Sequence, residues 1–178
     1  MLILEGSDCL GKSTFANLLL KVADEFERFP TFYSHMGRPN ASFDFLHDYK
    51  DMMSKYAVQD RFHLGGIVWH DALTDAALSL IEGWLQSIGS LTVVMYASDD
   101  VWYNQRLLDD DRGNLLTQEA MMIANDVYTQ MATGIARLNP NVYLSWDVKS
   151  VMNDSPVYPD ESFARKLIQK WFERLELL

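Results

Sequence analysis

The first fourteen residues constrain the fold more than any other stretch of this 178-residue chain. A short apolar segment, residues 2–4, runs into residues 6–13, which read G-S-D-C-L-G-K-S and fit the pattern G-x-x-x-x-G-K-[ST] at every fixed position. That pattern is a P-loop, which requires a strand before it and a helix after it. Both are indicated here, because apolar residues follow the loop at helical spacing, at Phe15, Leu18, Leu19, Val22 and Phe26.

The spacing of the loop residues has a physical reason. Gly6 and Gly11 permit backbone angles that a Cβ atom would forbid, so successive N–H groups can turn inward around phosphate oxygens at the start of a helix. Lys12 is then expected to reach the β- and γ-phosphates of a nucleoside triphosphate, and Ser13 to ligate Mg²⁺. The residues predicted to bind the nucleotide are therefore Gly6, Ser7, Asp8, Cys9, Leu10, Gly11, Lys12, Ser13 and Thr14.

Composition favours one cytoplasmic domain that comprises residues 1–178. Apolar residues make up 48% of the chain and charged residues 22%, which is ordinary for a globular protein. No apolar run approaches the ~18 residues of a membrane span, and a strand at the first residues leaves no room for a cleaved targeting segment. Cys9 is the one cysteine, which is typical of a reducing compartment.

The net charge excludes one class of partner. Acidic residues are spread along the chain and give a formal net charge of −10. Affinity for a nucleic-acid polymer or an anionic membrane depends on clustered Lys and Arg, so neither is expected as a partner. A small phosphorylated substrate remains compatible with this charge, because it needs only a few cations in one pocket.

Strands and helices alternate along the chain. Strands are predicted at residues 2–4, 31–36, 55–59, 91–96 and 141–146, and helices after the loop, at 42–53, 75–88, 99–108 and 117–138, and from 160 onward. This alternation predicts a three-layer α/β architecture, the P-loop NTPase fold, with a five-stranded parallel sheet and helices on both faces. Two segments allow two interpretations each. Gly65 and Gly66 favour a loop where Ile67 and Val68 could begin a helix, and the long connection 147–158 is expected to be mobile or part of a site.

A P-loop by itself fits a kinase, a GTPase, an ATPase motor or a nucleotide switch. The N-K-x-D guanine signature of GTPases is absent, and the chain is short for a motor domain. Other residues favour phosphoryl transfer to a nucleotide-like acceptor. Glu5 and Asp8 place two carboxylates beside the phosphates, Asp60 and Arg61 follow a strand, and a polar segment at 106–116 could close as a lid that carries Arg112.

These motifs resemble the thymidylate kinase family. The segment E-G-x-D-x-x-G-K-S-T at residues 5–14, the pair Asp60-Arg61 after the third strand and an arginine-containing lid after the fourth are typical of it. A closer likeness is to thymidylate-kinase-like proteins often encoded by bacteriophages, whose third-strand motif D-R-x-H-L corresponds to residues 60–64 here. The resemblance implies transfer of a phosphoryl group from ATP to a thymidylate-like deoxynucleoside monophosphate, 5-substituted pyrimidines included, by a homodimeric enzyme.

The resemblance also assigns roles at the donor side. It implies that Lys12 and the loop amides hold the phosphates of ATP and that Ser13 and Asp60 hold Mg²⁺. Arg112 would act as the lid arginine on the transferring group. Arg106, on the preceding helix, is a further candidate for binding the donor nucleotide.

On the acceptor side, the family likeness implies that Asp8 meets the 3′-hydroxyl of the deoxyribose. Arg61 would grip the acceptor phosphate, and Arg38 would assist it or contact the base. Trp69, between the Asp60-Arg61 pair and the next helix, is the aromatic residue expected to stack on the base. His63 is expected to be packed rather than catalytic, because transfer to an ionised phosphate needs no general base.

The sequence departs from the family at several positions. Cys9 and Leu10 stand where members often carry an arginine, Phe62 replaces a tyrosine, and Gly65-Gly66 stands where the phage-type proteins more often have Ser-Glu. Two alternatives therefore stay open. One is a deoxynucleoside kinase, which would need a carboxylate base near the second strand, and the other is a nucleotide-binding module without catalytic activity.

Overall fold

The fold is known from a computed structural model, which describes residues 1–36, 44–70, 74–110, 117–134 and 142–177. The strands of this part are β1 (Leu2–Gly6), β2 (Phe32–His35), β3 (Ala57–Asp60), β4 (Leu91–Ala97) and β5 (Tyr143–Lys149). The helices are α1 (Lys12–Phe26), α2 (Phe45–Met52), α3 (Leu64–His70), α4 (Asp75–Ser87), α5 (Asp100–Leu108), α6 (Gln118–Thr133) and α7 (Glu161–Glu176). None of these helices is long and apolar enough to cross a bilayer.

The five strands form one parallel sheet in the order β2-β3-β1-β4-β5. Pairing of β1 with both β3 and β4 places the loop after β1 at the middle of the sheet's carboxyl edge. In open parallel sheets, ligands bind outside that edge where the strand order reverses. The predicted fold class is confirmed.

Helices cover both faces of the sheet because side chains alternate along each strand. On β1, Leu2 and Leu4 belong to a core that includes residues of α1 and α7, whereas Ile3 belongs to a second core that includes residues of α4 and α6. β4 is buried along its whole length, as expected of a central strand covered on both faces. The result is the three-layer arrangement that the alternation predicts.

A helix, α3, occupies part of the segment that the sequence leaves open. Gly65 lies in its first turn, although glycine is a weak helix former. The start of this segment is held by a residue of β1, because the carboxylate of Glu5 accepts the N–H groups of Phe62 at 3.0 Å and Leu64 at 2.9 Å. These contacts, between residues far apart in the sequence, explain why the glycine pair did not produce a loop.

Several predicted ends differ from the structure, among them those of β5 and α6. β5 continues to Lys149, because the residues after 146 are held by pairing with β4. The connection that follows returns to this strand, since the N–H of Val157 donates to the carbonyl of Val148 at 2.7 Å. α6 ends at Thr133, and the rest of the helix predicted to reach residue 138 lies outside the described residues.

Gly6 occupies a position at which no side chain fits. Its φ is +141°, and a Cβ atom built there would collide with the carbonyl oxygen of Met95. Gly6→Ala is expected to lower the free energy of unfolding by roughly 2–4 kcal/mol, because backbone strain adds to the collision. Urea unfolding followed by circular dichroism measures this effect.

Gly83 provides the matched control for this substitution. It lies within α4, and a Cβ atom built there has nothing within 4 Å. Gly83→Ala should raise the free energy of unfolding by about 0.5–1 kcal/mol, because alanine restricts the unfolded chain and favours helix. Similar small effects of the two substitutions would contradict the account of Gly6.

Candidate functional site

The P-loop turns through three residues with positive φ, namely Gly6 at +141°, Cys9 at 63° and Gly11 at +82°. Gly11 is the N-cap of α1 and provides no side-chain cap, so the first N–H groups of the helix have no partner from that residue. Free N–H groups and the helix dipole together attract anions. The loop therefore has the backbone form of a phosphate site.

Lys12 lies inside this turn. Its side chain is 5% exposed, and the ammonium group donates to the carbonyl of Ser7 at 2.5 Å and lies 4.0 Å from the carboxylate of Asp8. Tyr103 of α5 also stabilises the loop, since its hydroxyl contacts Ser7 Oγ at 2.5 Å and donates to the carbonyl of Asp8 at 3.0 Å. The ammonium group is thus positioned at the centre of the loop.

Asp60, at the end of β3, forms the second part of the site. Its Oδ2 accepts hydrogen bonds from Ser13 Oγ at 3.0 Å and from the hydroxyl of Tyr33 at 3.1 Å, and His35 Nδ1 lies 3.7 Å away. The other carboxylate oxygen, Oδ1, is buried without a hydrogen-bond partner. A hydroxyl beside an unsatisfied carboxylate oxygen fits Mg²⁺, which prefers oxygen ligands.

Arg61, which follows β3, forms an ion pair with Asp8 of the P-loop. Arg61 has a φ of 64°, and its N–H donates to the carbonyl of Leu4 at 2.9 Å. This left-handed conformation costs on the order of 1–3 kcal/mol at a residue other than glycine, and it persists only where surrounding contacts hold the backbone in place. The guanidinium group is thus presented to the loop by a turn anchored on β1.

Glu5 points away from the loop into the core between the sheet and α6. It is fully buried, and besides the two N–H groups at the start of α3 it accepts the hydroxyl of Tyr128 at 3.3 Å. Burial raises its pKa to about 7, opposed by these hydrogen bonds and by the charge of Lys12. His63 is also fully buried, and burial lowers its pKa to about 3, so it is a neutral packed residue, as expected.

The raised pKa of Glu5 predicts a pH dependence of stability. Burial shifts its pKa from 4.5 to about 7, so the folded state keeps this proton to a higher pH than the unfolded chain does. The contribution of the protonated Glu5 to the free energy of unfolding is therefore complete below pH 4.5 and is lost as the pH rises through about 7. Between those limits, the free energy of unfolding of the wild type should fall relative to Glu5→Gln by on the order of 3 kcal/mol.

Urea unfolding at several pH values measures the difference between the two proteins. Glu173→Gln, at an exposed position of α7, is the control and should follow the wild type at every pH. Parallel stability curves for the wild type and Glu5→Gln would show that the carboxyl group titrates normally in the folded protein.

A polar cavity of ≈ 520 Å³ opens above the loop at the carboxyl edge of the sheet. It carries both signs of charge, because three cationic side chains face four carboxylates around it. Within it, Cys9 Sγ donates to Asp110 Oδ2 at 3.0 Å, which joins the loop to the residues after α5. The lining residues are Asp8, Cys9, Gly11, Lys12, Ser13, Thr14, His35, Asp60, Arg61, Arg106, Asp109 and Asp110.

A second cavity of ≈ 440 Å³ lies on the other side of Gly11 and is mostly apolar. It shares Gly11, Thr14 and Arg106 with the polar cavity, so the two adjoin along the start of α1. The ring of Tyr158 closes against the loop, since a Cβ atom at Gly11 would lie 3.1 Å from its Cδ1. The lining residues are Gly11, Thr14, Phe15, Leu18, Arg106, Tyr158 and Pro159.

Most of the predicted site residues meet around these two cavities. Gly6, Ser7 and Leu10 are buried and do not line them, so these three shape the loop without facing the site. Trp69 lies on α3, is half-buried against the core on the α1 side of the sheet, and lines neither cavity. Arg38 and Arg112 lie outside the described residues.

Sequence reasoning missed other residues that line the cavities. His35 is the last residue of β2 and therefore lies at the carboxyl edge of the sheet, where ligands bind in this class of fold. That position could have marked it as a site residue. Asp109 and Asp110 belong to the segment 106–116 that is predicted to be a lid, and they follow directly from α5 and face the loop. Tyr158 ends the connection 147–158, for which a place in a site is one of the two expectations. No local pattern marks the residue itself, because its contact with Gly11 joins distant segments of the chain.

Comparison with known proteins supports the fold. The sequence matches no protein-family model and no curated protein significantly. Among solved structures, the chain is similar to the YorR protein from Bacillus subtilis, solved in complex with phosphorylated GDP, with a TM-score of 0.59. The two chains are 24% identical over 82% of this chain and 84% of that chain. At this identity the likeness establishes a shared fold.

Proposed function

We propose that the protein is an ATP-dependent kinase of deoxynucleoside monophosphates. The observation that carries this proposal is the pair of adjoining cavities on either side of Gly11, one polar and one apolar. A nucleoside triphosphate has two matching parts, a charged phosphate chain and a flat aromatic base whose faces are apolar. The solved structure of YorR, which shares the fold, contains a phosphorylated guanine nucleotide, and this is consistent with nucleotide binding here.

The donor nucleotide would lie across the loop. Its base enters the apolar cavity, where Arg106 and Tyr158 can stack on its faces, and its phosphates follow the N–H groups at the start of α1. Lys12 then lies beside the β- and γ-phosphates. Mg²⁺ held by Ser13 and Asp60 would neutralise charge on these phosphates.

The acceptor would bind on the opposite side of the polar cavity, at the Asp8–Arg61 pair. A carboxylate and a guanidinium group side by side suit a ligand that carries both a hydroxyl and a phosphate. We assign Asp8 to the 3′-hydroxyl of the deoxyribose and Arg61 to the monophosphate. Arg38 and Arg112 are proposed to assist from the neighbouring segments, and the thymidylate-like base remains part of this proposal.

The reaction is a direct transfer between two phosphates. An oxygen of the acceptor phosphate attacks the γ-phosphorus of ATP, a P–O bond forms, and the bond to the β,γ-bridging oxygen breaks to leave ADP. The attacking oxygen is already ionised near neutral pH, so no side chain needs to remove a proton. The protein contributes positioning and charge neutralisation, through Lys12 on the donor and Arg61 on the acceptor.

A coupled assay of ADP release tests the proposal. ATP and Mg²⁺ are offered with deoxynucleoside monophosphates, ribonucleoside monophosphates and free nucleosides, including 5-substituted pyrimidines. Turnover is expected with a pyrimidine deoxynucleoside monophosphate. Turnover with nucleosides alone would instead indicate a hydroxyl acceptor, and nucleotide binding without any turnover would indicate a binding module.

A further inference from the structure

Lys149, the last residue of β5, is a nearly buried cation outside both cavities. Its side chain is 9% exposed, and its ammonium group lies 3.1 Å from Asp99 Oδ2. It also donates to the carbonyl of Ser150 at 3.0 Å and to the carbonyl of Asn153. One ammonium group therefore holds a helix cap and a turn of the following loop together.

The acidic partner connects Lys149 to one wall of the apolar cavity. Asp99 is the N-cap of α5, where its Oδ1 accepts the N–H of Trp102 at 3.0 Å, and its own N–H donates to the carbonyl of Lys149 at 2.9 Å. α5 carries Arg106 in its last turn. The orientation of this short helix is thus tied to the end of β5.

The carbonyl partners connect Lys149 to the opposite wall. The turn at 150–153 leads into a segment that returns along β5, where Val157 pairs with Val148 and accepts Trp146 Nε1 at 2.8 Å. The next residue is Tyr158, whose ring packs against Gly11. Fixing the turn therefore fixes where this ring lies.

We propose that Lys149 is a positioning residue for the base of the donor nucleotide. It sets the separation between Arg106 on α5 and Tyr158 on the loop, and so the width of the apolar cavity between them. The inference rests on the proposed function, because it assigns that cavity to the donor base. It adds a role for a residue that touches no ligand.

Calorimetric binding of two ligands tests this role. AMP-PNP, which does not turn over, carries the base, whereas tripolyphosphate occupies only the phosphate loop. Lys149→Met retains the apolar stem, and it should weaken AMP-PNP binding about tenfold and tripolyphosphate binding less than about twofold. Lys170→Met, at an exposed position of α7, is the control and should change neither affinity.

A double-mutant cycle separates positioning from general destabilisation. If Lys149 acts through Tyr158, Lys149→Met should have little further effect on AMP-PNP binding in a Tyr158→Ala background. Asp99→Asn breaks the same ion pair but keeps a good helix cap, so it should reproduce the selective loss even if Lys149→Met folds poorly.

Three results would overturn the inference in distinguishable ways. Equal weakening of AMP-PNP and tripolyphosphate would show that Lys149 does not act on the base cavity. Full additivity with Tyr158→Ala would show that it does not set the separation between Arg106 and Tyr158. Failure of the wild type to bind AMP-PNP would overturn the proposed function, and the assignment of the cavity with it.

Discussion

Lys12→Ala is expected to reduce kcat at least about 100-fold in the assay of ADP release. The side chain is 5% exposed, and its ammonium group lies inside the P-loop, where a phosphate chain would bind. A charge in such a place stabilises the transferring group far more than it would in solution. Most of the loss should therefore be in kcat rather than in the KM for ATP.

Lys21→Ala is the control for this substitution, because Lys21 lies on the same helix but is exposed. It should leave kcat within about twofold of the wild type, as surface substitutions usually do. A residual rate of Lys12→Ala above about 1% would contradict the assignment, since it would mean that this charge does not stabilise the transition state.

Arg61→Gln is expected to lower kcat/KM for the acceptor monophosphate by about 100- to 1000-fold. The guanidinium group is presented by a strained turn and pairs with Asp8 at the cavity wall. Without it, the acceptor phosphate loses a charge-assisted hydrogen bond, whereas the donor sites at Lys12 and Arg106 remain. The KM for ATP should therefore stay within about threefold.

Arg28→Gln is the matched control, because Arg28 forms an exposed ion pair with Glu176 and neither residue lines a cavity. Steady-state kinetics with each substrate varied in turn give both constants. If Arg61→Gln raised the KM for ATP as much as that for the acceptor, Arg61 would belong to the donor site. An unchanged kcat/KM for the acceptor would remove Arg61 from the site altogether.

The P-loop illustrates what local sequence can predict. Its strand, turn and helix are continuous in the chain, and the spacing of Gly6, Gly11 and Lys12 follows from short-range backbone geometry. Asp60 could also be placed near the loop, because the ends of parallel strands meet at one edge of a sheet. Its hydrogen bond from Ser13 agrees with that expectation.

The two carboxylates near the loop show where such reasoning stops. The sequence places Glu5 and Asp8 equally close to a phosphate, but Asp8 pairs with Arg61, whereas Glu5 is buried among N–H groups and a tyrosine hydroxyl. Strand alternation and packing against α6 decide this difference. The partners lie at distant positions in the sequence, so no local pattern reveals them.

The amino-acid sequence alone therefore determined the parallel α/β fold and the identity of its phosphate loop. Both depend on periodicity and turn chemistry within short segments. Only the tertiary structure decided that Arg106 and Tyr158 line one cavity and that the carbonyl of Leu4 anchors the turn of Arg61. It also decided that Lys149 contacts both Asp99 and the turn at 150–153. These arrangements depend on contacts between segments distant in the chain, which form only when the helices pack against the sheet.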